Sequence, residues 1–391
     1  MSTKMPAQYR HFSLFLFFYF AHAGTFITYA ALFFAARGMS VPQIGVLLAL
    51  VQVMRILGPN LWGWVADHSG QRVMVLRLTG CAALLSFGGM FVADSFPEFI
   101  IAMVMLNLFT SAQTPLGEAL MLTEMRGDLS HYGRVRLWGS IGFIVAVSAA
   151  GYLLEWFGVD ALPTIAGLLL MMVVCASLAL PNTAPGATAH ARAPLLQVMR
   201  APGVWSFFVS VALMCAAHMA LYAFYSLYLE RAGYSKAVIG MMWALGVMAE
   251  VVFFYFQARV FARFSARSVM LVAFGVAVLR FTIIGAGADF LWVLIAAQMM
   301  HAVTFGAHHS ALVQTMQTWF SGPLQARGQA LYTSIGYGIG GTLGGLFMSA
   351  CWDKISPEAM FYAAAGLALA GMGAAALSFG SQAGATRGKI A

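Results

Sequence analysis

The sequence predicts an all-α membrane protein with twelve transmembrane helices in two pseudo-symmetric six-helix bundles. Three observations lead there. Of 391 residues 61% are hydrophobic and only 9% charged, where a soluble domain carries about 25% charged residues. Apolar runs long enough to cross the hydrocarbon core, about 20 residues each, recur along the whole chain. Finally, the first half of the sequence repeats in the second.

Taken in order, the spans are 11–36, 42–66, 73–93, 97–123, 134–156, 161–180, 203–230, 237–261, 268–287, 290–318, 327–351 and 357–380. The first follows Lys4 and Arg10 and has no small-residue cleavage pattern, so it reads as a retained helix, not a signal peptide. The net charge of +8 does not point to nucleic acid, because the cations sit in the short loops. Counting both termini and the even-numbered junctions as one side gives fourteen Lys and Arg, against four (Arg37, Arg231, Lys236 and Lys354) on the other. The positive-inside rule then puts both termini in the cytoplasm, as for a multi-pass protein of an inner membrane. Cys81, Cys175, Cys215 and Cys351 fall singly in or beside spans, with neither a disulfide framework nor metal-ligand spacing.

The longest non-apolar stretch is 181–202, with four prolines and few bulky residues. It reads as a cytoplasmic linker between an N-terminal bundle, 1–180, and a C-terminal bundle with a short tail, 203–391. Gly38, Ser40, Ile44, Gly45, Ala49 and Leu50 match Gly233, Ser235, Ile239, Gly240, Ala244 and Leu245 at a displacement of 195. Leu137, Ser140, Ile141 and Gly142 match Leu331, Ser334, Ile335 and Gly336 at 194. Parallel six-helix repeats are an architecture in which a ligand site lies at the repeat interface and the halves rock around it. Arg55 and Glu250 occupy equivalent positions with opposite charge.

Charges inside the spans are costly and persist where they face a protein interior or a watery cavity. The set here is Arg55, Glu118, Arg136, Glu250 and Arg280, with His22, His218, His301, His308 and His309. Glu118 and Arg136 lie in consecutive helices and are expected to pair; the alternative is a position at the membrane surface as helix-end charges. Pairing Glu250 with Arg280 leaves Arg55 over, and a net positive interior suits a carboxylate held in bidentate fashion. A buried carboxylate responds to both desolvation and a nearby Arg, so moving Arg280 relative to Glu250 would load or release a proton. His301 titrates near neutrality and is expected to relay protons or touch substrate. His22 and His218 occupy neighbouring repeat positions and are read as substrate contacts, or as hydrogen-bonded core residues. Trp138 and Tyr337 could stack on an aromatic ring. His308 and His309 are adjacent and at 100° per residue point apart, which argues against a metal site. The run from Gly336 to Gly345 offers small-x-x-x-small pairs for close helix contact, not a phosphate loop.

Several motifs carry a family resemblance. The stretch Gly63-Trp64-Val65-Ala66-Asp67-His68-Ser69-Gly70-Gln71-Arg72 resembles the loop between helices 2 and 3 of the major facilitator superfamily. That likeness implies a conformational latch built on Gly63, Asp67, Gly70 and Arg72, with His68 and Gln71 where cations are usual. Glu118 with Tyr132-Gly133-Arg134-Val135-Arg136 resembles the lactose-permease branch, where such a Glu and Arg hold the sugar. Arg280, His301 and Glu250 fall where that branch has its proton-coupling cluster, although Thr304 stands in place of its acid on helix 10. Trp243-Ala244-Leu245-Gly246-Val247-x-Ala249-Glu250, Phe264-Ser265-Ala266-Arg267, Gln298-x-x-His301-x-x-Thr304-Phe305 and Tyr132-Gly133-x-Val135-Arg136-Leu137-Trp138-Gly139-Ser140 resemble the phenylpropionate-permease family over nearly the whole chain.

The resemblance implies a major facilitator fold and a functional monomer. The expected activity is proton-coupled symport of a small organic acid, an aromatic carboxylate such as phenylpropionate, by alternating access. Its partners would be that small molecule and the lipid bilayer, with protons as coupling ion and no cofactor or metal. A sugar or nucleoside symporter fits Glu118 and Arg136 equally well, and an exporter of hydrophobic compounds is a further alternative. An enzyme is not expected, since the sequence has no nucleophile elbow, metal-spaced His/Cys set or nucleotide loop.

Overall fold

The computed structural model describes residues 7–125, 131–182 and 195–387. Among them the chain is helix and turn, with no strand. Six helices make up the first half: α1 Ala7–Ala36, α2 Val41–Ser69, α3 Arg72–Phe87 continued by Gly89–Val92, α4 Phe96–Thr110 continued by Gln113–Glu124, α5 Tyr132–Phe157 and α6 Leu162–Leu178. The second half has α7 Val204–Arg231, α8 Lys236–Phe261, α9 Ala266–Gly287, α10 Leu291–Met299 continued through Trp319, α11 Gln325–Tyr332 continued through Lys354, and α12 Pro357–Arg387. Eleven are long and apolar enough to cross a membrane. The remaining one, α11, is interrupted by a wide π segment at Thr333–Gly340. Most of the expected linker, 183–194, lies outside the described residues, as do residues 1–6 and 388–391 of the termini.

The internal repeat has a local cause. Gly38 (φ 76°) and Gly233 (φ 87°) end α1 and α7 in the left-handed conformation, which glycine adopts without a Cβ penalty. Two residues on, Ser40 caps α2 in a reciprocal box with Gln43. At the equivalent place the Ser235 hydroxyl accepts from the Val238 N–H at 3.3 Å. The repeated Gly-x-Ser is thus a helix stop followed by a helix start.

The chain packs as two compact units, one of Met1–Thr188 with Leu229–Ala244, the other of Ala189–Tyr228 with Leu245–Ala391. In the first, α1 lies against α5 so closely that a Cβ on Gly142 would sit 2.8 Å from the Phe17 carbonyl carbon. Phe12, Phe15, Phe33, Phe34, Phe87 and Phe99 fill its core. Arg77 closes the end of α6, donating from Nε to the Ser177 carbonyl (3.2 Å) and from Nη2 to those of Leu178 and Leu180 (3.0 Å each). The start of α8 is tied in by Tyr29, whose hydroxyl contacts the carbonyls of Val147 at 3.0 Å and Lys236 at 3.2 Å. Gly151 and Gly240 leave room for that hydroxyl: a Cβ on Gly151 would lie 2.8 Å from it, and one on Gly240 would lie 2.6 Å from the Val147 carbonyl oxygen.

In the second unit the glycine run of α11 meets α7 as the small-residue spacing predicts. A Cβ on Gly340 would lie 2.8 Å from the Ala212 Cα, and one on Gly344 would lie 2.7 Å from the Ala216 Cβ. A second π segment, Ala302–Ala307, lies in α10 directly after His301. Such wide turns concentrate at functional sites.

Candidate functional site

In the first unit α4 and α5 bring Glu118 and Arg136 together, with Arg136 Nε 3.2 Å from Glu118 Oε1. Both side chains are about a third exposed (31% and 35%). The Arg136 guanidinium lies over the Phe20 ring, Cζ to centroid 4.4 Å. Gly139, one turn along α5, makes this stacking possible: a Cβ there would meet the Phe20 ring at 2.6 Å and Arg136 Nη1 at 3.0 Å. Trp138 is 40% exposed, its ring edge toward Phe17 at 6.5 Å. Arg55 is half-buried on α2.

The second unit holds the other charged cluster. Arg280 on α9 is completely buried and donates to three side chains of α10. Nη1 reaches His301 Nδ1 at 3.0 Å and Thr304 Oγ1 at 2.8 Å, and Nη2 reaches Gln298 Oε1 at 2.9 Å. A guanidinium has no acceptor, so His301 Nδ1 must be the bare nitrogen and Nε2 must carry the ring proton. That Nε2 faces Glu250 Oε2 on α8 at 3.7 Å. Sequence reasoning paired Glu250 directly with Arg280; the structure interposes His301, because both amino groups of Arg280 are taken by α10. Thr304, at the position where the lactose-permease branch carries an acid, accepts from the same guanidinium. Gln298 was not foreseen as a ligand of Arg280. Its signal was the spacing 298, 301, 304, which repeats every three residues and lines one face of α10.

Beside this cluster, α7, α10 and α11 border a small recess of about 20 Å³, lined among others by His218, Tyr222, His308, His309, Tyr332 and Tyr337. His218 and Tyr337 were expected near a cavity. His308 and His309 both border it, but their rings point apart, as 100° per residue requires: His308 packs edge-on against Phe274, and His309 Nδ1 lies 3.2 Å from the Tyr332 hydroxyl. No cluster of three or more His, Cys, Asp or Glu suited to a metal occurs among the described residues.

Other expected site residues stand elsewhere. His22 is buried in the first unit, its Nδ1–H donating to the Ala166 carbonyl at 2.9 Å and its ring packed on Phe26 and Phe87. It joins α1 to α6, the core alternative to a substrate contact. In the α2–α3 loop Arg72 donates to Asp67 at 2.9 Å, and Gly70 (φ 68°) makes the turn. A Cβ on Gly63, the other small residue of this stretch, would meet nothing within 4 Å. His68 lies over Trp64, ring centroids 4.2 Å apart, and donates to its carbonyl at 2.9 Å.

The model of the MFS_1 like family matches residues 9–363. The chain belongs to the major facilitator superfamily. It is a multi-pass membrane protein of a transporter family, not an enzyme. It is 29% identical over 334 residues, 84% of this chain and 87% of the relative, to the "Probable 3-phenylpropionic acid transporter" of Escherichia coli (strain K12). To the "Maltose permease" of Geobacillus stearothermophilus it is 25% identical over 348 residues, 88% of each chain. Among solved structures, the nucleoside transporter NupG superposes with a TM-score of 0.83 at 16% identity, covering 97% of this chain and 99% of NupG. That last likeness concerns the fold alone.

Proposed function

We propose that this protein imports a small organic acid with an aromatic ring together with protons, by alternating access. The observation that carries the proton-coupling part is the series Arg280–His301–Glu250. His301 is held in one tautomer by Arg280 and presents its Nε2–H to Glu250. Protonating His301 at Nδ1 would set two donors against each other, so in this arrangement Glu250 is the group that takes the proton. Loading Glu250 removes the anion that faces Nε2 and alters the balance of the buried cluster, as a coupled transporter requires. The proton site is therefore Glu250, with Arg280 and His301 fixing its surroundings.

The acid is supported by two features. Arg136 faces Glu118 through Nε, and the terminal amino groups of a guanidinium suit a carboxylate held in bidentate fashion. A relative over most of the chain is named for 3-phenylpropionic acid. The bundles 1–180 and 203–391 would act as the moving halves of a functional monomer in an inner membrane, with both termini cytoplasmic. A sugar or nucleoside is the second reading, favoured by the partly exposed Glu118–Arg136 pair and the maltose permease relative.

Uptake into proteoliposomes of labelled 3-phenylpropionate, maltose and uridine, each with and without an inward proton gradient, separates these cargoes. Gradient-driven accumulation of the acid that disappears in Glu250→Gln is the expected result. Undiminished accumulation by Glu250→Gln would refute the proton assignment.

A further inference from the structure

We propose that Arg259, Arg263 and Arg267, at the turn from α8 to α9, form a binding site for the phosphate headgroup of an anionic phospholipid. Such a site would serve the protein whatever its cargo and coupling ion. Three observations carry it.

The first is an asymmetry between the repeats. At the displacement of 195, Trp64, Asp67, His68 and Arg72 correspond to Arg259, Ala262, Arg263 and Arg267. In the first half the turn settles its own charge. Arg72 donates to Asp67 at 2.9 Å, and His68 lies over Trp64 with centroids 4.2 Å apart. The second half exchanges that acid for alanine and those two rings for guanidinium groups. Arg259, Arg263 and Arg267 are all exposed, and none forms an ion pair among the described residues.

The second is the distribution of acids around that turn. Residues 251–288 contain four arginines and neither Asp nor Glu. Glu230, Asp289, Asp353 and Glu358 stand at the opposite ends of α7, α9, α11 and α12. Glu250 precedes Arg259 by about two and a half turns of α8. Clustered cations at a membrane surface attract anionic headgroups, and the fork of an arginine matches phosphate oxygens in pairs.

The third distinguishes a lipid from a free anion. Val252, Tyr255 and Phe256 are 57%, 80% and 41% exposed, and by helical spacing they share the face of α8 that ends in Arg259. The Arg259 guanidinium lies over the Phe256 ring, Cζ to centroid 5.1 Å. Phe264, between Arg263 and Arg267, is 57% exposed. Exposed apolar side chains thus run directly into the cations, on a helix long and apolar enough to cross a membrane. Soluble phosphate would use the cations alone. A phospholipid covers both, with acyl chain on the apolar stripe and phosphate on the arginines.

Binding of phosphatidylglycerol, cardiolipin and phosphatidylcholine to the purified full-length protein is measured by native mass spectrometry, with inorganic phosphate as competitor. Wild type should bind the two anionic lipids about 10-fold or more tighter than phosphatidylcholine, and an equal concentration of phosphate should not displace them. The triple variant Arg259→Gln, Arg263→Gln, Arg267→Gln should weaken anionic-lipid binding by about 5-fold per arginine, the factor equivalent to about 1 kcal/mol per basic residue at an anionic surface, and so on the order of 100-fold in all. Arg10, Arg134 and Arg200 are exposed and expected on the same side by the positive-inside rule. The triple variant Arg10→Gln, Arg134→Gln, Arg200→Gln lowers the net charge equally and should keep the preference. Equal losses in the two triple variants would reduce the effect to bulk charge and overturn the proposal. Equal binding of all three lipids by wild type, a comparison that needs no variant, would overturn it as well. Displacement by phosphate would refute a lipid in favour of a free anion.

Discussion

Each ring nitrogen of His301 faces a different charge, Arg280 at Nδ1 and Glu250 at Nε2, and two substitutions tell these contacts apart. Asn places a carbonyl oxygen near the position of Nδ1 and can still accept from Arg280, whereas Leu offers nothing. Arg280 is fully buried and its Nη1 lies 3.0 Å from Nδ1. A hydrogen bond to a charged group contributes about 1.5–3 kcal/mol. For a domain of about 200 residues each kcal/mol moves the melting temperature by about 2–4 °C. His301→Leu should therefore melt about 3–12 °C lower than wild type. His301→Asn gives up the Phe305 stack, which Leu also loses, and the Glu250 contact, which at 3.7 Å exceeds hydrogen-bond length; it should melt about 3 °C or more above His301→Leu. Both variants lose the Nε2–H that faces Glu250, so both should lose gradient-driven accumulation. Thermal unfolding in detergent and proteoliposome uptake read the two effects separately. If Asn melted as low as Leu, acceptance by Nδ1 would not be what holds Arg280, and the tautomer argument would fail.

Arg136→Lys removes both the planar stack on Phe20 and the forked donor; acid affinity in competition binding should fall about 10-fold, while melting shifts little because a partly exposed pair contributes about 0.2–1 kcal/mol. Gly240→Val drives a side chain toward the Val147 carbonyl, 2.6 Å from a Cβ, and should destabilise by about 1–3 kcal/mol. An unchanged melting curve would show that the α1–α5–α8 junction tolerates bulk. Tyr29→Phe should cost about 1–2 kcal/mol at the same place, since the carbonyls of Val147 and Lys236 lose a donor. Arg77→Met strips a three-carbonyl cap from the end of α6; a loss of about 1.5–3 kcal/mol is expected, of which Arg77→Lys should restore only part.

Most of the helices were legible because the bilayer imposes a minimum apolar length, and helix ends were marked by Gly-x-Ser and Gly70. Glu118 with Arg136 was legible for a related reason: two opposite charges in consecutive apolar helices need each other. The detail at Arg280 was not. Which acceptors satisfy a buried guanidinium depends on the orientation of α10 against α9, and polar neutral residues such as Gln298 and Thr304 carry no charge to advertise the contact. His22 stayed undecided between substrate contact and core residue because a histidine facing a cavity and one donating to a backbone carbonyl have the same local sequence. The π segment at Ala302–Ala307 was hidden too, since no hydrophobic period reveals it.

That segment has a mechanical consequence. Four residues of an α-helix overshoot a full circle by about 40°, so rings at 301, 305 and 309 in regular helix would fan out instead of stacking. Their near-parallel column, with planes within 8°, depends on α10 being locally underwound. Deleting one residue between Ala302 and Ala307 would rewind the helix and rotate His301 by about 100° relative to His309. Arg280 would then lose its imidazole while His309 kept its place beside Tyr332. A single surplus residue in the winding of α10 therefore sets the angular register between the buried cation and the turn of α10 that faces Tyr332.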